Sequence, residues 1–224
     1  EASEVLADIV LKVGNGTFTL GELKRFAKRE NPFSPARISK KLRSGWELFY
    51  RDILGMAVDL SDVRIPDNPG GFDRVIIVAQ GLTIAKVVLA MRQRFNVRLY
   101  RDDLDDAVTE NERTPANGTY AIRVRERIEA DEELKDLSAD DIRSRGTSTM
   151  TLLERLLYEM KYFSETGKHL DVQKITLCTG SRYRDGDVPG VRWAGWPGRL
   201  YVSWGSSGRR SEYLRSREAV SLRL

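Results

Sequence analysis

The chain has one cysteine, Cys178, and one histidine, His169. A lone cysteine excludes an internal disulfide. One His and one Cys leave too few ligands for an ordinary zinc site. No stretch approaches the roughly 18 consecutive apolar residues that a membrane-crossing helix needs. The first twenty residues carry Glu1, Glu4, Asp8 and Lys12, and they lack the basic start and apolar centre of an export signal. The glycine pattern of dinucleotide-binding folds and the lysine-bearing phosphate loop are both missing. These absences predict a cytoplasmic protein with no membrane contact, no metal and no cofactor.

What is present is enough for a core. Hydrophobic residues make up 41% of 224 positions and charged residues 31%, which supports packing and disfavours wholesale disorder. The net charge is +4, but it is unevenly spread. Residues 20–51 hold nine Lys or Arg against three acids, residues 101–141 hold six against fourteen, and residues 175–224 hold nine Arg against four acids. Two basic ends around an acidic middle point to polyanion binding by the ends. The competing reading is that basic and acidic segments face one another within the chain.

Patterning predicts an α+β fold. A helical N-terminal part is expected over 1–60, a Pro/Gly-rich connection over 61–72, and an α+β domain over 73–224. Thr19 and Glu22 form a capping box, and Ser34-Pro35 opens a second helix with Ile38, Leu42, Trp46, Phe49 and Ile53 on one face. The apolar run Val75–Ala79 suits a strand covered on both faces. A helix over 82–95 and a strand over 97–100 complete a strand–helix–strand unit, for which parallel pairing is expected. A third strand is expected over 119–126, and an acidic helix over 129–145 with Ser138 and Asp141 at its start. Thr151 and Glu154 cap a long amphipathic helix in which Arg155 and Glu159 pair four apart, and Gly167 closes it. Around Gly195-Trp196-Pro197-Gly198, the segments 191–193 and 200–204 read as a hairpin.

Four groups of residues carry possible chemistry. Residues 20–45, with Arg37, Lys40, Lys41 and Arg43 on the second helix, resemble a helix-turn-helix unit. That resemblance implies groove reading and phosphate contact by those side chains. The alternative is a structural helical hairpin with a basic outer face. Near the C-terminus, Arg192, Arg199 and Tyr201 stand among tryptophans and tyrosines, a mixture able to stack on unpaired bases and neutralise phosphates. Alternation puts Leu200, Val202 and Trp204 on the core face, and Arg199, Tyr201 and Ser203 on the other. Cys178 and Arg184, five residues apart in between, have the outline of a phosphatase loop. The turn-forming Asp185-Gly186-Asp187 follows where that loop needs a helix, so a buried structural cysteine is expected. His169 with Asp171 could orient an imidazole with Cys178 as nucleophile, but a capping or solvated histidine fits as well. Gly81 after a strand hints at an anion held at a helix start. The carboxylates Asp102, Asp103, Asp105 and Asp106 read as a solvated face.

The stretches 71–83, 117–134 and 152–171, with Cys178–Tyr183 and Leu214–Ser221, resemble a set of uncharacterised bacterial proteins. The resemblance implies a bacterial protein and carries no site residue. Three function classes follow. The first is a non-catalytic protein binding DNA or RNA through Arg37, Lys40, Lys41, Arg43, Arg192, Arg199 and Tyr201. The second is an interaction module docking a protein partner, or another copy of itself, on the acidic 101–141 segment. The third is a small hydrolase using His169 and Cys178.

Overall fold

The computed structural model describes residues 8, 11, 12 and 35–222, with side chains from Lys40 onward in the first helix. The capping box at Thr19 and the first half of the helix-turn-helix reading lie outside the described residues, as does the Arg37 side chain. Contacts divide the chain into Glu1–Ser44 and Gly45–Leu224, and the following concerns the second unit. The stretch 61–72, expected as a connection, lies inside it. Leu60 and Val63 are buried, and the Arg123 guanidinium donates to the carbonyls of Pro66 at 2.7 Å and Phe72 at 3.3 Å.

The protein is α+β. Helix α1 (Pro35–Leu54) is followed by β1 (Arg74–Val78), α2 (Ile84–Arg92), β2 (Asn96–Leu99), α3 (Leu104–Ala107), β3 (Val108–Asn111) and β4 (Tyr120–Val124). A short 3₁₀ turn (Glu132–Leu134), α4 (Ala139–Ser144) and α5 (Leu152–Thr166) come next. The chain ends in β5 (Ile175–Leu177), β6 (Ser181–Tyr183), β7 (Val188–Ala194), β8 (Arg199–Gly205), β9 (Leu214–Arg215) and β10 (Val220–Ser221). The described strands form sheets ordered β1-β4-β10, β2-β8-β7-β5-β9 and β3-β6.

The strand–helix–strand unit is present, but its expected parallel pairing is not. β1 pairs antiparallel with β4, while β2 pairs parallel with β8 in another sheet. Among the described strands only β4 pairs with β1, and Tyr50 meets the backbone at the end of β1. Its hydroxyl donates to the Ile77 carbonyl and accepts from the Ala79 amide, both at 2.8 Å. One phenol thus satisfies two backbone groups at that end. β2 alternates exposed Asn96 and Arg98 with half-buried Val97 and Leu99.

Helix α5 starts at the expected capping box, with Thr151 and Glu154 exchanging side-chain and backbone hydrogen bonds, and ends at Gly167 with φ of 67°. Every residue from Leu152 to Met160 is buried, because the helix packs against α2 and β1. The Arg155–Glu159 pair forms as expected and is fully enclosed. The expected acidic helix over 129–145 is reduced to the 3₁₀ turn and α4, whose Ser138–Asp141 capping box forms as expected.

Candidate nucleic-acid interface

The hairpin of β7 and β8 sets the register of the largest sheet. Arg192 stands opposite Tyr201, and Gly190 opposite Ser203. Residues opposite one another in a sheet share a face. Arg192 therefore meets Arg199 and Tyr201 on one open face; alternation had placed Arg199 and Tyr201 together, and the register adds Arg192. The parallel pairing of β2 adds Asn96 and Arg98 to it, opposite Arg199 and Tyr201. Tyr100 follows at the end of β2, its ring 6.3 Å from that of Tyr201. β5 and β9 extend the face through Leu177, Ile175 and Leu214.

Leu200 and Val202 are buried on the opposite face as expected, but Trp204 is not. It is 54% exposed, and some of its atoms border the cleft. It lies near the strand end, opposite Pro189, where the buried pattern of β8 gives way to solvent.

The cleft measures about 510 Å³. Tyr100, Tyr201, Trp204 and Tyr213 border it, with Arg192 and Arg209, and among the described residues no carboxylate lines it. Guanidinium and ammonium groups lie over the aromatic rings: Arg192 is 5.5 Å from the Tyr201 centroid, Arg98 is 5.9 Å from Tyr100, and Lys174 is 5.0 Å from Tyr213. Such contacts keep cations beside aromatic faces without neutralising them.

Many arginines of the unit are paired with carboxylates, although Arg64, Arg92, Arg94, Arg145 and Arg182 are not among the described residues that form such pairs. Arg184 pairs with Asp106 at 3.0 Å, Arg210 with Asp141 at 2.6 Å, Arg215 with Glu132, and Arg217 with Asp171 at 2.7 Å. Acidic and basic segments thus do face one another across much of the unit. Among the described residues, Arg98, Arg192, Arg199 and Arg209 have no such carboxylate partner.

The acidic segment also shapes the cleft rim. The Glu129 carboxylate accepts the amides of Val172, Gln173 and Lys174 at 2.9–3.1 Å. Asp140 accepts the Ser207 hydroxyl at 3.0 Å, and its amide donates to the Ser207 carbonyl at 3.2 Å, which holds the loop that carries Arg209. Hydrogen bonds from Ser138 and then Arg210 lower the Asp141 carboxyl to about 2.

The other sequence-derived sites resolve differently. Lys40 and Lys41 are exposed and Arg43 is half-buried. Cys178 is wholly buried, and burial pushes its thiol up to about 12, so it cannot serve as a thiolate nucleophile near neutrality. Strand β6, not a helix, follows it, and the exposed Arg184 is engaged by Asp106. This removes the phosphatase-loop outline and the His169–Cys178 hydrolase reading. His169 is neither a cap nor solvated. It stacks on Trp193, with ring centroids 3.3 Å apart, and its Nδ1 lies 2.9 Å from Glu159 rather than on Asp171.

The anion expected at the helix start beyond Gly81 is the chain's own. Asp105 accepts the amides of Ile84 and Ala85, both at 2.8 Å, at the N-terminus of α2. The four aspartates are exposed as expected, and three of them also make contacts within the chain: Asp103 caps α3, Asp105 accepts the first amides of α2 and Asp106 holds Arg184.

Sequence reasoning missed Arg98, Tyr100, Lys174, Arg209 and Tyr213 as members of the face. Tyr213 and Arg209 stood within the Arg-rich C-terminal segment, which was their one available signal. Arg98 and Tyr100 had none, since they arrive by pairing across about a hundred residues of chain. No protein family, curated protein or solved structure matches the chain.

Proposed function

We propose that the protein binds single-stranded nucleic acid on the open face of the five-stranded sheet. The observation that supports this reading is the cluster of cations and rings on that face. Among the described residues Arg98, Arg192, Arg199 and Arg209 lack carboxylate partners and stand beside Tyr100, Tyr201 and Tyr213, while Arg184, Arg210 and Arg215 are paired with acids. Exposed rings on strands suit unpaired bases, which present a π-face that a duplex hides, and the free guanidinium groups suit phosphates. Arg37, Lys40, Lys41 and Arg43 on α1 are proposed as further phosphate contacts.

The test is fluorescence anisotropy with labelled single strands and a duplex of the same length, from roughly 50 to 200 mM salt. Four phosphate-bound arginines imply a slope of log K against log salt of about −3 for a single strand. Tyr201→Ala is expected to weaken binding by about 1–3 kcal/mol, the contribution of one stacked base. Absence of binding at low salt, or a duplex bound as tightly as the single strand, refutes the proposal.

A further inference from the structure

Resting on that reading of the face, we propose that the cleft is a pocket for one nucleoside monophosphate unit. The strand is then anchored by one inserted nucleotide rather than by an even row of stacked bases. The volume of about 510 Å³ falls in the range of small-molecule sites rather than that of a shallow track.

Its depth has an identifiable cause. Gly190 is buried, and a Cβ there would lie 3.0 Å from the Ser203 Oγ and 3.4 Å from the Ile175 Cγ2. The absence of a side chain at 190 keeps the centre of the sheet face low, while the rims carry large rings. Tyr213 on the cleft rim is 55% exposed, so its ring is available to a planar ligand, and the half-buried Tyr201 stands across from it in the lining. Residues of two chemical kinds complete the lining. Arg192 and Arg209 supply positive charge for a phosphate, and Gln173 and Ser203 offer donor and acceptor groups for the edge of a base. Among the described residues the lining has no carboxylate to repel the phosphate. An acidic or aromatic peptide would use the arginines or the rings, whereas a nucleotide uses both together with the amide and hydroxyl groups.

The full chain is titrated with the four nucleoside 5′-monophosphates, with adenosine, with inorganic phosphate and with an acidic peptide. Intrinsic tryptophan fluorescence and displacement of a labelled single strand are followed. At least one monophosphate is expected to change the fluorescence and displace the strand, with adenosine and phosphate each at least tenfold weaker. Ser203→Leu, which fills the floor, is expected to weaken monophosphate binding at least tenfold. The exposed-site variants Trp204→Ala and Arg209→Glu are expected to do the same without relying on a buried substitution. If single strands bind in a Tyr201-dependent way while no monophosphate binds or competes, the pocket is refuted and the face reading survives. If a monophosphate binds and no strand does, the pocket stands as a site for a free nucleotide and the face reading falls. Equal affinity for phosphate alone, or tighter binding of the acidic peptide, overturns the pocket.

Discussion

Replacing Asp171 with Asn removes one charge from the centre of the unit. Asp171 is fully buried, and both of its oxygens only accept. Oδ1 takes the Ala130 amide at 2.9 Å and an Arg217 Nη2 at 2.7 Å. Oδ2 takes Arg155 Nε at 2.9 Å and the Thr176 hydroxyl. An asparagine amide, turned either way, must point its own donors at these donors. Glu159 still balances Arg155 at 2.9 Å, but Arg217 would keep only neutral oxygens, those of Arg127, Ile128 and Thr176. Breaking a buried pair in this way costs about 3–5 kcal/mol. That is a large part of the 5–15 kcal/mol that holds typical domains together. With a urea m-value near 2 kcal/mol/M, the midpoint followed through buried Trp46 should fall by about 2 M. Glu133→Ala, which breaks an exposed pair with Arg127, is the control, expected to cost at most about 1 kcal/mol.

Acid provides an independent check on the same residue. Burial alone would raise the Asp171 carboxyl, but Arg217 and Arg155 outweigh burial and hold it below its ordinary value of 3.8. A carboxyl with a lowered native value stabilises the fold above its unfolded value, and that stabilisation is lost as pH falls through the native value. The stability gap between wild type and Asp171→Asn should therefore be constant near neutrality and narrow only below about pH 4. A midpoint shift no larger than that of the Glu133→Ala control, or a gap closing near pH 6, would show that Asp171 does not balance the two arginines.

The remaining predictions concern groups whose surroundings are equally defined. The Tyr158 hydroxyl is buried without a hydrogen-bond partner among the described residues, while its ring lies 5.3 Å from the Arg74 guanidinium and 5.5 Å from that of Arg217. Tyr158→Phe should leave thermal stability unchanged or raise it by up to about 1 kcal/mol, and a clear loss would reveal a partner for the hydroxyl. Cys178 should resist a thiol reagent at about pH 8 until urea unfolds the chain, and rapid labelling of native protein would contradict its burial. Asp105→Ala should destabilise the fold by about 1–2 kcal/mol through the two amides it uncaps, without changing nucleic-acid affinity. Altered affinity would instead place Asp105 at the interface.

Local chemistry was readable directly. Thr151, Glu154 and Gly167 bounded α5, and Ser138 with Asp141 bounded the start of α4, because a capping box and a left-handed glycine act within one helical turn. The hairpin of β7 and β8 followed from its turn, and alternation placed Arg199 and Tyr201 together, to which the register adds Arg192. Pairing at a distance was not readable. Nothing local to β1 or β2 showed that β1 would pair with β4 and β2 with β8. The fate of Arg155 and Glu159 was hidden for a similar reason. Spacing of four made them partners, but only the packing around α5 buried them and bound them to Asp171 and His169.

The sequence by itself therefore determined several of the elements, the α+β class, the inertness expected of a lone cysteine before turn-forming residues, and the uneven spread of charge. Tertiary structure decided which charges remain free. A count of residues gives a segment its sign, but neutralisation is set by distances of about 4 Å between groups far apart in the chain. The fold spent the carboxylates of the acidic segment on Arg184, Arg210 and Arg215 and on the cleft rim, and among the described residues left Arg98, Arg192, Arg199 and Arg209 without acids on one aromatic face.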